Sequence, residues 1–387
     1  MSNVKPKIAF LGTGGTISYT GRNSLDVWEY MDFGTRLNIS DILNQFPEVE
    51  EAADVVPINV RQVSSSGIIP DDWLALSKTI QEVDQSHDDI DGIVITHGTA
   101  TLEETAYFIN LTAKTKIPIV MIGAQRPSSG FATDAGSNLL SAIRTAGSKE
   151  AAGLGVMVLL NEEIQAAREV TKTSTLRLET FQTPDLGMLG YADPDGKIAI
   201  YRRPSRPHTI DTVFDTNHIA ELPRVDIVPS YAGADGTAIE AFIAAGAKAI
   251  VVSTLAPGLP ASPQMEAIKK ALEKNIIVIY STRAGSGRVL RRQSMIDSGI
   301  IAADNLNPQK ARVLAMLALT KSTDAEVIQN FFDLYYLNIT FGILENGTSN
   351  CSRHDGRYAQ GLWSNSCFLL TRSLAQDVER DRKKNFN

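Results

Sequence analysis

Apolar residues follow two rhythms along this chain. Over roughly its first 190 residues, short runs of Ile, Val, Leu and Met alternate with helical patterns; the runs fall at 7–11, 92–96, 117–122 and 155–160. Runs that are apolar at nearly every position suit strands buried on both faces, and their alternation with helices predicts a parallel α/β sheet. After Thr101, the sequence Leu102-Glu103-Glu104-Thr105 opens an apolar helical pattern toward Ala113, with Thr101 and Glu104 spaced as a capping box. Between 191 and 222 the residues Pro194, Gly196, Pro204 and Pro207 break any long period, which reads as a short hairpin and then an extended linker. The alternation then resumes on a smaller scale, with strands expected at 224–228, 249–252 and 276–280 and helices at 263–274 and 308–320.

The predicted organisation is α/β throughout. A larger N-terminal domain built on a parallel sheet (1–190) is followed by the hairpin and linker (191–222), then a smaller, flavodoxin-like α/β domain (223–335). The stretch 336–387, rich in Asn, Ser, Gly and Arg, sustains no period and is expected to be an irregular tail without an assigned function. No internal repeat at a solenoid period is evident.

Charge and composition narrow the partners. The 387 residues carry a formal net charge of −7, which disfavours nucleic acid or an anionic membrane as a bulk partner. No apolar run approaches the ~18 residues of a membrane span, and the first ten residues lack the apolar core of a signal peptide, so the expected compartment is the cytoplasm. Without a secretory signal, the sequons at Asn338, Asn346 and Asn350 carry little weight. Cys351 and Cys367 do not have metal-ligand spacing, and no pair among His87, His97, His208, His218 and His354 has the i, i+4 spacing of a helical zinc site. No metal or cofactor is expected.

In a parallel sheet, ligands bind beyond the carboxyl ends of the strands, so the residues following each strand are the first candidates for chemistry. After Leu11 comes Gly12-Thr13-Gly14-Gly15-Thr16; after Ile95, Thr96-His97-Gly98-Thr99-Ala100-Thr101; after Ile122, Gly123-Ala124-Gln125-Arg126-Pro127; and beyond Leu160, Val170-Thr171-Lys172-Thr173. The glycine loop is not a dinucleotide fingerprint, because position 17 is Ile17, and it lacks the Gly-Lys of a phosphate loop. What remains is either a plain strand-to-helix turn or a loop that brings backbone close to a small ligand and presents Thr16. Thr101 fits a cap better than Thr99 does, which leaves Thr99 to face the crevice. His97 directly follows a buried strand and suits a hydrogen-bonded structural role better than that of a base. Lys172, ordinarily a solvated surface lysine, can take a proton from a hydroxyl if a cleft desolvates it.

These segments resemble the bacterial-type asparaginases and glutaminase-asparaginases. The resemblance rests on Thr13-Gly14-Gly15-Thr16, on Thr96-His97-Gly98-Thr99 with Leu102-Glu103-Glu104-Thr105, and on Val170-Thr171-Lys172-Thr173. Support comes from the 123–127 segment, from Asp134 with Asn138, and from Leu306-Asn307-Pro308-Gln309-Lys310-Ala311-Arg312. It runs in order from about residue 6 to 335 and leaves out the tail.

The resemblance implies a metal-free amide hydrolase in which Thr16 attacks a side-chain amide and Thr99 with Lys172 moves protons. A tyrosine after the first loop would assist Thr16, Tyr30 being the better candidate and Tyr19 the weaker. Ser65 would hold the substrate's α-carboxylate, with Ser66, Gly98, Ala100 and Gln125 also at the substrate site. A homotetramer with active sites shared between subunits is also implied. One departure stands out: the family pattern His-Gly-Thr-Asp-Thr reads His97-Gly98-Thr99-Ala100-Thr101 here. The missing aspartate grips the substrate's α-ammonium in the family, and losing a charged hydrogen bond costs ~1.5–3 kcal/mol. Gly67 likewise stands where many members carry an acidic residue. The leading expected substrate is asparagine. A related amide without a free α-amino group is the serious rival, glutamine is a weaker one, and a catalytically weak amide-binding protein is the runner-up from another class; a partner-dependent amidotransferase subunit finds no basic surface suited to RNA.

Overall fold

The computed structural model describes residues 5–86 and 89–334. The tail 336–387, with Cys351, Cys367 and the three sequons, lies outside the described residues, as do His87 and His354.

The first sheet has eight strands: β1 (Lys7–Gly14), β2 (Asp54–Val63), β3 (Gly92–Thr96), β4 (Ile119–Ile122), β5 (Val156–Leu160), β6 (Glu163–Ala166), β7 (Gly190–Ala192) and β8 (Ile198–Ile200), in the order β8-β7-β6-β5-β4-β3-β1-β2. From β2 to β5 the neighbours pair parallel, while β6, β7 and β8 pair antiparallel. The sheet is therefore mixed rather than all parallel, because the chain reverses between β5 and β6 and the hairpin after residue 190 then adds to that edge.

The apolar runs explain its two-sided burial. Ala9, Leu11, Ile93, Ile95, Met121 and Val158 enter one core, and Ile8, Phe10, Val94, Val120, Ile122 and Leu159 enter the other. This is the period-2 alternation of a strand covered on both faces. Helices α1 (Pro70–Ser86) and α2 (Leu102–Thr112) contribute to the first core, and α3 (Ala135–Ala146) to the second.

The second sheet is parallel, in the order β9 (Val225–Pro229), β10 (Ala249–Thr254), β11 (Ile277–Thr282), β12 (Ile301–Ala302). Helices α4 (Thr237–Ala244) and α5 (Met265–Glu273) share a core with Val228, Ile250, Val252 and Val278. On the opposite face, α6 (Pro308–Leu319) joins Val225, Val251 and Ile279 to the core of α2, and α7 (Ala325–Leu334) closes the end. The two sheets are thus tied through a shared apolar layer centred on α6.

Candidate active site

At the end of β1 the chain makes a turn that only glycine tolerates. Gly14 and Gly15 have φ of 104° and 91°, in the region L side chains avoid. A Cβ on Gly15 would lie 2.4 Å from the nitrogen of Gly98, so the first and second strand-end loops meet backbone to backbone. The following 3₁₀ turn (Thr16–Ser18) buries Ile17 in the core and leaves Thr16 half-buried at the crevice. Isoleucine at 17 is therefore a packing anchor, which is why this loop cannot follow a dinucleotide-binding pattern.

Thr16 Oγ1 lies 2.8 Å from the hydroxyl of Tyr30, itself buried on the single helical turn Tyr30–Phe33. Burial raises the Tyr30 pKa, with the Thr16 hydrogen bond opposing it, so the side chain stays a phenol able to donate or accept. Tyr19 packs edge-on against Tyr30 at 5.6 Å, and its hydroxyl accepts from Arg36 Nε at 2.5 Å. Its backbone N–H donates to the Thr16 carbonyl, but its hydroxyl is not bonded to the Thr16 hydroxyl.

The second loop leaves β3 through His97. Its Nδ1 lies 2.8 Å from the Gly98 carbonyl, which can only accept, so Nδ1 carries the proton and Nε2 accepts from Thr105 Oγ1 at 3.0 Å. Thr105 in turn accepts from Trp73 Nε1 at 2.9 Å. Burial lowers the His97 pKa to about 4, and the ring is a neutral strut. A Cβ on Gly98 would sit 2.5 Å from Ser65 Cβ, which places Ser65 directly against this loop. Ser66 is exposed on the 3₁₀ turn Ser65–Gly67, with Oγ 3.1 Å from Ser64 Oγ, and does not reach the threonines through any described bond.

The expected capping box at Thr101 does not form. Thr101 is the N-cap of α2, but its hydroxyl donates to the Ser65 carbonyl at 2.8 Å and caps no helix nitrogen. Tying the Ser65 turn to the second loop takes the hydroxyl away from the helix. Ala100, between the two threonines, is exposed and offers only a methyl group.

Lys172 reaches this edge from an antiparallel ribbon, Thr171–Lys172 against Phe181–Gln182. Its Nζ donates to Thr99 Oγ1 at 2.7 Å and to Gln125 Oε1 at 3.2 Å, with the Phe181 ring centroid 5.8 Å away. Desolvation lowers its pKa to about 8, the charge of Asp134 opposing the shift. Asp134 is a latch: its carboxylate accepts from the backbone nitrogens of Gln125 (2.9 Å) and Arg126 (3.0 Å) and from Asn138 Nδ2 (3.1 Å). Asn138 also donates to the Gly123 carbonyl at 3.0 Å, which fixes the third strand-end loop.

The ribbon is held from behind by the second domain. Lys310, 2% exposed, donates to the carbonyls of Arg168 (3.1 Å) and Val170, with Glu103 3.9 Å away. Asn307 caps α6 through Lys310 N (2.9 Å) and donates to Glu103 at 3.0 Å. Sequence reasoning noted Asn307 and Lys310 only as part of a resemblance. The asparagine before Pro308 at a helix start was the readable signal, and the lysine's inward course was not.

Lys172 is thus bonded to both Thr99 and Gln125, Thr16 is bonded to Tyr30, Gly98 lies against Ser65, and the Gly15–Gly98 contact brings the two threonine loops together at one sheet edge. Two hydroxyls beside an amine of lowered pKa can carry out nucleophilic attack with proton transfer.

Comparison with known proteins identifies the family of both domains. Residues 7–206 match the family of the asparaginase N-terminal domain, and residues 224–332 match the glutaminase/asparaginase C-terminal domain. The chain is 39% identical over 330 residues to L-asparaginase 2 of Bacillus subtilis, covering 85% of this chain and 87% of that one. It is 37% identical over 330 residues to a probable periplasmic L-asparaginase of Haemophilus influenzae, covering 85% and 93%. A crystal structure of a probable cytoplasmic L-asparaginase from Campylobacter jejuni superposes with a TM-score of 0.82 at 40% identity, covering 86% of this chain and all of that one. With both domains matched in order and relatives this similar over most of its length, the chain belongs to the asparaginase and glutaminase-asparaginase family, a family of amidohydrolases.

Proposed function

We propose that the chain hydrolyses the side-chain amide of L-asparagine to L-aspartate and ammonia through an acyl-threonine intermediate. The observation that carries this reading is the 2.7 Å bond from Lys172 Nζ to Thr99 Oγ1 at the edge where Thr16 is presented. A lysine whose pKa lies near 8 holds a useful fraction of free amine at neutral pH, as a general base requires.

Thr16 Oγ1 adds to the amide carbon, and its proton leaves through Tyr30 or the Thr99–Lys172 pair. The amide C–N bond breaks as the nitrogen is protonated, ammonia departs, and an ester to Thr16 remains. Water then adds to the ester carbon with Lys172 taking its proton through Thr99. The ester C–O bond breaks, Thr16 regains its proton, and the free acid is released. Ser65, packed under Gly98, is the proposed anchor for the substrate's α-carboxylate. A cytoplasmic site of action and a homotetramer belong to the same proposal, the first supported by the description of the Campylobacter relative.

A second reading has its own observation. Ala100 presents an exposed methyl where an ammonium-binding group is expected from the family pattern. An amide without a free α-amino group, such as succinamate, loses nothing there. Ammonia release from asparagine, glutamine and succinamate, measured side by side, tests both. Turnover of asparagine supports the main reading, preference for succinamate the second, and binding without release of ammonia overturns hydrolysis altogether.

A further inference from the structure

Lys172 stands at the proposed centre with no ion-pair partner among the described residues, yet its amine is held in place. Two side-chain acceptors do this: Thr99 Oγ1 at 2.7 Å and Gln125 Oε1 at 3.2 Å. We propose that Gln125 is a positioning residue for Lys172, a neutral carbonyl that aims the amine at the Thr99 hydroxyl while keeping a carboxylate out of contact with it.

Gln125 is suited to this by how its loop is fixed. Its backbone nitrogen is bonded to Asp134, and Gly123 two residues earlier is bonded to Asn138. The loop therefore cannot drift, and the side chain leaves it from a set point. The groups facing the amine are few. Phe181 on the partner strand offers a ring face, Thr99 a hydroxyl, and Gln125 an amide. Asp134 at the start of α3 is the charged group that acts on Lys172, and its carboxylate is already occupied by Gln125 N, Arg126 N and Asn138 Nδ2. A charged lysine can only donate, so it selects the carbonyl end of the Gln125 amide. The amide nitrogen is left buried and without a partner among the described residues.

The physical consequence is a balance. An acceptor on the amine favours its charged form modestly, whereas a carboxylate in the same place would favour it strongly and remove the base from the neutral range. A neutral amide orients the lysine and leaves burial in control of its titration. This rests on the proposed hydrolysis only for its effect on rate; the titration of Lys172 is measurable without turnover.

The experiment is competitive labelling of Lys172 with an amine-reactive reagent across pH, read by mass spectrometry, on wild type, Gln125→Glu and Gln125→Met, with kcat and KM for ammonia release alongside. In Gln125→Glu the labelling midpoint of Lys172 moves up by about 1–3 on the pH scale, and the acidic limb of kcat/KM moves with it. In Gln125→Met the midpoint falls below that of wild type, and kcat drops by about tenfold with KM little changed. The order Met below Gln below Glu is the expected result. A purely structural role would move both variants the same way or neither, and either outcome overturns the proposal. If Gln125→Glu fails to fold, the direction of the Gln125→Met shift decides. An ordered shift in a protein that releases no ammonia leaves this inference standing and removes the hydrolysis reading.

Discussion

The two sheets end alike in sequence but not in chemistry. Both place hydroxyl residues where their parallel strands stop: Thr16 and Thr99 beyond the first sheet, Ser230, Thr254 and Ser281 at the second. Each of these three second-sheet hydroxyls is committed to a group that only accepts. Ser230 Oγ donates to Gln264 Oε1 at 2.6 Å, Thr254 Oγ1 to the Ser281 carbonyl at 2.5 Å, and Ser281 Oγ to the Leu306 carbonyl at 2.6 Å. In the first sheet Thr16 meets a phenol and Thr99 an amine, partners that can give and take protons. The two lysines repeat the contrast. Lys172 and Lys310 both have pKa values lowered to about 8 by burial, but Lys310 is enclosed by carbonyls while Lys172 lies half-buried on a hydroxyl. A displaced pKa alone marks burial. A displaced pKa on a group bonded to a hydroxyl at a crevice marks a candidate for catalysis.

The largest expected effect tests that distinction at the hydroxyls. Thr16→Ala, Thr99→Val and Lys172→Met should each reduce kcat/KM by about 10²–10⁴-fold while the protein stays folded by circular dichroism. Ser281→Ala, at the second edge, should cost about 1–2 kcal/mol of stability and leave kcat near wild type. Near-normal turnover in Thr16→Ala would remove the proposed nucleophile. A collapse of kcat in Ser281→Ala would mean that the second edge is not merely structural.

The lysines come next. Lys310→Met leaves Glu103 without its nearby cation and two buried carbonyls without a donor, and a lowered melting temperature equivalent to about 3 kcal/mol is expected. Its titration gives a second readout. Folded Lys310 has a pKa of about 8, and the same group unfolded titrates near ~10.4. Between those values the unfolded chain holds more protons, so this lysine makes stability rise with pH across that window and fall as pH drops through about 8. Lys310→Met should flatten that rise, read as melting temperature against pH, whereas Lys172→Met should change rate far more than melting temperature. Equal destabilisation by both substitutions would erase the contrast.

How much of this was legible in the sequence depends on what each residue packs against. β1, β3, β4 and β5 were readable because burial on both faces makes them apolar at almost every position. β2 was not: as an edge strand it is half-exposed, with Pro57, Asn59 and Arg61 interrupting its pattern, although it runs for ten residues. The antiparallel turn of the sheet at β6 also passed unread, since Glu163 and Gln165 hide a strand of only four residues. At the site, Thr16, Thr99 and Lys172 could be named as candidates because each follows a strand or a polar turn beyond one, while their roles came only with the family resemblance. The Gln125–Lys172 contact could not, as it depends on two side chains 47 residues apart meeting across loops. The failed capping box at Thr101 has the same cause, a competing partner supplied by a distant turn.

The smallest expected effect lies within the first edge itself, at Ala100, where that edge lacks a charge. The polar side chains already placed at this edge are committed: Thr99 to Lys172, Thr101 to the Ser65 carbonyl, and Asp134 to its three donors. An α-ammonium brought here meets no free carboxylate from these groups, and a desolvated cation without a partner is costly. Succinamate carries no such group. The chain should therefore prefer asparagine over succinamate less than an enzyme with aspartate at this position does. Ala100→Asp should shift the kcat/KM ratio toward asparagine by about tenfold or more, the worth of one charged hydrogen bond. Both substrates are measured on both proteins at a single pH of ~7, where the α-amino group of asparagine is still protonated and any change in Lys172 titration acts on both substrates and cancels in the ratio. A ratio that stays put, or a wild type that already favours asparagine strongly, would mean that another acidic group receives the ammonium. Asp134 is then the first place to look: Asp134→Asn would lower the asparagine preference if that carboxylate serves two masters, and would leave it unchanged if it only latches the loop.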